Sequence, residues 1–139
     1  MMNKDFLRSN DLGLLLLRLT VGGLMLFHGI HKLVYGVAGL QGMLAGLGLP
    51  GFLAYFSLAA ELVASILIIL GAWTRVASAV MVGNMVVAIL MAHLPMLFTV
   101  DPNTGGWAVE LPMLYLLGAA VLCLTGAGKY ALTRGKVTD

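Results

Sequence analysis

The sequence predicts an all-α fold: a bundle of four transmembrane helices running up, down, up, down, with a short interfacial segment between the first and second. Three observations carry this. Sixty per cent of the 139 residues are hydrophobic and ten per cent charged, against about a quarter charged in a soluble domain. Four apolar runs are each long enough to cross roughly 30 Å of hydrocarbon at about 1.5 Å per residue. The later connections are short, which forces antiparallel neighbours. The whole chain, residues 1–139, reads as a single domain.

The first run extends from Leu12 to about Leu33. Lys4 and Arg8 precede it, as in a signal peptide, but the run is too long and lacks a clean small-residue cleavage site. It is therefore expected to be retained. The second run covers about Phe52 to Leu70, the third about Val76 to Leu97 and the fourth about Trp107 to Leu124. Gly71-Ala72-Trp73-Thr74-Arg75 forms a tight turn between the second and third, and Asp101-Pro102-Asn103-Thr104-Gly105-Gly106 is a loop between the third and fourth. The Gly36–Gly51 segment holds six glycines and no charge. Too short to span and too apolar for a free loop, it is expected to form a short half-buried helix over the mouth of the bundle.

The basic residues set the orientation. Lys4, Arg8, Arg75, Lys129, Arg134 and Lys136 fall on one side of a four-helix topology, and Lys32 alone lies near the other. By the positive-inside rule both termini are cytoplasmic. A formal charge of +2 is too small to suggest nucleic acid as a partner. The lipid bilayer is the partner that the composition demands. One cysteine, Cys123, excludes an internal disulfide and thiol–disulfide exchange within one chain. The nine methionines are spread through all the helices and read as packing filler.

Titratable groups inside spanning helices are costly, and they mark either a functional site or a structural pair. His28, His31 and Lys32 crowd the last turn and a half of the first helix. His28 and Lys32 are four apart and His28 and His31 three apart, so they share a face. Glu61 lies about 13 Å into the second helix from the same side. His93 closes the third helix and Glu110 opens the fourth. His28, Lys32, Glu61, His93 and Glu110 are thus expected to line one outward-facing cavity for ligand binding or proton exchange, with Glu61 at its floor and His31 as a secondary member. Arg18 returns to nearly the same face and is expected to form a buried ion pair with Glu61. Each group also has a structural reading: register-fixing pair for Arg18 and Glu61, backbone or headgroup bonding for the histidines, snorkelling for Lys32, and a solvated helix N-terminus for Glu110. Asn84 reads as an interhelical hydrogen-bonding residue. No compact metal motif is present, and none of the serines, nor Cys123, stands beside a base in a recognisable nucleophile setting. No metal site is expected.

These residues resemble the DoxX family of small bacterial membrane proteins. The resemblance rests on Leu17-Arg18-Leu19, Phe27-His28-Gly29-Ile30-His31-Lys32, Ala59-Ala60-Glu61-Leu62, Leu70-Gly71-Ala72-Trp73-Thr74-Arg75 and Ala92-His93-Leu94-Pro95. It continues through Gly105-Gly106-Trp107-Ala108-Val109-Glu110-Leu111-Pro112 and Gly126-Ala127-Gly128-Lys129-Tyr130-Ala131-Leu132, in order over nearly the whole chain. Arg18, His28, Lys32, Glu61, Arg75, His93 and Glu110 match the recurring polar positions. His31 departs from a position that is often neutral in the family. The resemblance implies a multi-pass protein of the bacterial cytoplasmic membrane. It also implies a subunit of a quinone-linked or thiol/oxidative-stress redox system, if an enzyme then an oxidoreductase subunit acting with a partner protein. The sequence carries no signal for flavin, heme or iron–sulfur, and a quinone is the candidate ligand. The alternatives are a non-catalytic membrane scaffold for a soluble redox enzyme and a small-solute or proton carrier, for which four helices are few unless the chain forms a homo-oligomer.

Overall fold

The computed structural model describes residues 9–139; Lys4 and Arg8, part of the charge argument, lie outside them. Five helices make the fold. They are α1 (Asn10–Tyr35), α2 (Ala38–Gly46), α3 (Leu53–Leu70), α4 (Thr74–Met96) and α5 (Glu110–Thr125). Among the described residues there is no strand, only an isolated antiparallel bridge between Val100 and Trp107. Three helices, α1, α3 and α4, are long and apolar enough to cross a membrane. The fourth expected span is shorter than the apolar run suggests. Residues 107–109 belong to the bridged loop, so α5 begins at Glu110 and has 16 residues, about 24 Å.

Local chemistry explains where the helices start and stop. Ser9 caps α1 by accepting from the Leu12 amide at 3.1 Å, and Asp11 places a carboxylate in the first turn, where it favours the helix dipole. At the end of α3, Gly71 takes φ +73, with its amide on the Ile68 carbonyl and that of Ala72 on the Leu67 carbonyl. This paired closure of a helix needs a left-handed residue, which glycine supplies without strain. α4 ends differently. Pro95 stands in a 3₁₀ turn, Leu94–Met96, and the five residues before it, Ile89–His93, form a π turn. Proline lacks the amide and crowds the carbonyl four residues back, which loosens the ladder there. A second π turn, Ala60–Ala64, interrupts α3.

α1 packs along α3, α4 packs along both α3 and α5, and α1 also touches α5. The shared core draws Val21 and Met25 from α1, Ile68 from α3, Met81 and Met85 from α4, and Leu122 from α5. Glycine sets the α1–α3 spacing, since a Cβ on Gly22 would lie 2.8 Å from the Ser65 carbonyl oxygen. The Gly36–Gly51 segment contains the short helix α2. Its Leu44, with Val37, packs on Ala54 and Leu58 of α3 and on Met91 of α4. Outward, Leu16, Phe27, Phe56, Val63, Leu114 and Leu124 are exposed, a belt of apolar surface that lipid rather than water would cover.

Candidate functional site

Glu61 is the centre of the buried polar chemistry. It sits in the π turn of α3 and is 4% exposed. Its Oε1 accepts from the Lys32 ammonium at 2.6 Å and from the Asn84 amide at the longer distance of 3.4 Å. Asn84 in turn accepts from the Ser57 hydroxyl at 2.9 Å. Side chains of α1, α3 and α4 are thereby joined in one chain, Lys32–Glu61–Asn84–Ser57. The second carboxylate oxygen, Oε2, is buried and has no hydrogen-bond partner among the described residues. An unpaired carboxylate oxygen in an apolar interior costs several kcal/mol at the order-of-magnitude level, so a partner there would be strongly held.

The other expected site residues are not all drawn to this centre. His93 closes the π turn of α4 and is half-buried, and its Nδ1 is shielded and unpartnered among the described residues. His28 is exposed on α1, with its ring edge-on to the buried Tyr115 of α5, centroids 5.8 Å apart. His31 is exposed and stacks on Tyr35 at 4.7 Å. Glu110 is exposed at the start of α5, against Gly106 of the preceding loop. Lys32 does not snorkel outward but reaches inward to Glu61. Among the described residues no three His, Cys, Asp or Glu side chains are grouped as a metal would need.

The expected Arg18–Glu61 pair is not formed. Arg18 is 2% exposed, and its guanidinium donates to four carbonyls: Ile68 and Ile69 (each 3.0 Å) at the end of α3, and Ala127 (3.0 Å) and Tyr130 beyond α5. The physical reason is distance along the axis. Arg18 and Lys32 share a face, but fourteen residues separate them by about 21 Å, so Lys32 meets the middle of α3, at Glu61, and Arg18 meets its C-terminal end. At the Arg18 end lie the last carbonyls of that helix, which lack intrahelical donors. A planar five-donor fork satisfies them better than it could satisfy a carboxylate two turns away. Nearby, residues 126–139 fold back over the helix ends. The Thr138 carbonyl accepts from the Arg75 and Val76 amides of α4, the Leu132 and Thr133 amides donate to Leu70 and Gly71, and Arg75 Nε donates to the Cys123 carbonyl at 2.7 Å.

Sequence reasoning missed Ser57, Tyr115 and both π turns. Ser57 had a signal, since it lies four residues before Glu61 and hence on its face. The π turn at Ala60–Ala64 had none, for no proline or glycine marks it.

The DoxX family matches residues 13–94, a stretch that contains Arg18, Lys32, Glu61, Asn84 and His93. A protein of Bacillus subtilis (strain 168), named "Putative oxidoreductase CatD", is 33% identical over 131 residues, covering 94% of this chain and 89% of that protein. No solved structure matches. The match over residues 13–94, together with this relative along nearly the full length, means that the chain belongs to the DoxX family.

Proposed function

We infer that this chain is a membrane-embedded subunit of a redox system, in which the Glu61 centre receives the carbonyl or hydroxyl of a quinone-type ring. The buried, unpartnered Glu61 Oε2 carries this reading. Beside it Lys32 and Asn84 supply donors to a ring oxygen, and Glu61 is the proton-exchanging group. π turns inside helices recur at functional sites because they widen the ladder and re-aim side chains. Reduction of a quinone takes up two electrons and two protons. The protons pass through side chains such as these, and the electrons come from a partner protein. The name given to the Bacillus relative, an oxidoreductase, supports a redox assignment.

The accompanying topology has four spans running up and down, in the bacterial cytoplasmic membrane. Both termini are cytoplasmic and α2 lies as a lid over the Lys32 end. The hydrogen bonds that gather the start of α1, the end of α3, the start of α4 and the segment after α5 support this arrangement.

Equilibrium binding of 2,3-dimethoxy-5-methyl-1,4-benzoquinone to the purified protein in lipid nanodiscs tests the reading. Saturable binding is expected, weakened roughly tenfold by Glu61→Gln. Glutamine keeps the volume and an acceptor for Lys32, so the folded protein should persist. No saturable binding to the wild type would remove the quinone site and leave the scaffold as the better account.

A further inference from the structure

We propose that the open groove between α3 and α4 holds the hydrocarbon tail of a ring-headed lipid whose polar head meets Asn84 and Ser57. The ligand of the Glu61 centre then enters sideways from the membrane rather than through the mouth of the bundle. This rests on the ring-binding reading of Glu61 above and adds a tail site and an entry side to it.

The groove has a volume of about 740 Å³ and runs from Leu53 and Val87 at one end to Trp73 and Thr138 at the other. That is the size of a lipid-like ligand site. Its walls are apolar except for Thr138 at one end and Ser57 and Asn84 part-way along. The latter two belong to the Lys32–Glu61–Asn84–Ser57 chain, so the groove meets the hydrogen bonds that lead to the buried carboxylate, while Glu61 itself does not line it. Asn84 donates one N–H to Glu61, and its carbonyl accepts from the Ser57 hydroxyl. Its second N–H and the lone pairs of the Ser57 hydroxyl have no partner among the described residues. In a hydrocarbon setting, open donors and acceptors of this kind need a hydrogen-bonding occupant.

Depth selects the occupant. Asn84 lies ten residues beyond Thr74, about 15 Å along the axis, close to the midpoint of the 23-residue α4. A phospholipid headgroup stays at the interface and does not come to that depth. A ring bearing only carbonyls or hydroxyls does, with its tail lying along Ala60, Val80 and Ala64.

Two ring probes separate this from its alternatives: 2,3-dimethoxy-5-methyl-1,4-benzoquinone without a tail, and the same ring carrying a decyl chain. Binding to the full chain in nanodiscs is compared at equal probe per mole of lipid. The wild type should prefer the decyl probe roughly tenfold. Val80→Trp and Gly83→Leu each fill the groove. Val80 is exposed and a Cβ on Gly83 meets nothing within 4 Å, so either change leaves the core intact. Both should abolish the preference while holding the tailless affinity within about twofold. Equal binding of the two probes by the wild type, or a preference that survives both groove variants, overturns the groove and leaves the Glu61 reading standing. Failure of both probes to bind the wild type removes the Glu61 reading itself. If the groove variants instead convert a dimer to a monomer or release bound phospholipid without changing the preference, a second copy or a phospholipid occupies the groove and the proposal is wrong.

Discussion

The Lys32 ammonium lies 2.6 Å from the Glu61 carboxylate, tying the last turn of α1 to the π turn of α3. Glu61 is shut away from water, and Lys32 is partly so. The lysine side chain is about a quarter exposed, at 28%, and the glutamate 6%. Such a pair is more costly to break than to omit, because removing one partner leaves the other charged and uncompensated.

Lys32→Met and Glu61→Gln should accordingly each lower stability by about 1–3 kcal/mol, and the double variant should lose less than the sum. Unfolding in mixed micelles, followed through the four single- and double-variant combinations, measures the coupling. Strict additivity would mean that the two groups act independently.

Arg18→Met should be more damaging, by about 3 kcal/mol or more, since four hydrogen bonds to carbonyls, two of them buried, are lost together. Arg18→Lys should recover little of that loss, because a point charge on a flexible stem cannot reproduce the fork. Arg18→Met and Glu61→Gln should combine additively to within about 0.5 kcal/mol, in contrast to the Lys32 pair. The same unfolding assay reads all three outcomes, and strong coupling between Arg18 and Glu61 would contradict the geometry.

Adjacent glycines on α1 should respond in opposite directions. Gly22→Ala drives a methyl to 2.8 Å from the Ser65 carbonyl oxygen and should cost about 1–3 kcal/mol through separation of α1 from α3. A methyl on Gly23 would meet nothing within 4 Å, so Gly23→Ala should stabilise the helix by about 0.5–1 kcal/mol. Thermal unfolding of the two variants side by side decides this.

A reporter fused after Asp139 should be active only if it works in the cytoplasm. Arg75, Lys129, Arg134 and Lys136 all lie at the Arg18 end of the bundle, where the positive-inside rule expects them. Activity from a periplasm-dependent reporter at that position would invert the proposed orientation.

Much of the architecture was legible because lipid imposes a simple rule. Apolar runs of spanning length stand out, and Gly71, the Asp101–Gly106 loop and the glycines around α2 punctuate them. The pattern placed α3 and α4 within about two residues at each end. It overran the start of α5 because Trp107, although apolar in pattern, is used by the loop, where its Nε1 donates to the Leu97 carbonyl at 2.6 Å. The site was less legible. Angular periodicity puts Arg18 and Lys32 on one face but says nothing about which of them reaches Glu61, and axial distance settles that in favour of Lys32. Periodicity also assumes a regular helix. The π turn at Ala60–Ala64 breaks that assumption without any residue that announces it, so the face presented by Glu61 was hidden until the backbone was known.

Two of the four carbonyls that hold Arg18 belong to residues 109 and 112 positions further along the chain. A ribosome adding about 5–20 residues per second delivers them several seconds after α1 has left the exit tunnel. Of its four final acceptors, only the Ile68 and Ile69 carbonyls at the end of α3 are within reach of the guanidinium before then. A chain cut before residue 126 would leave Arg18 with the Ile68 and Ile69 carbonyls alone, half of the acceptors that hold it in the folded protein.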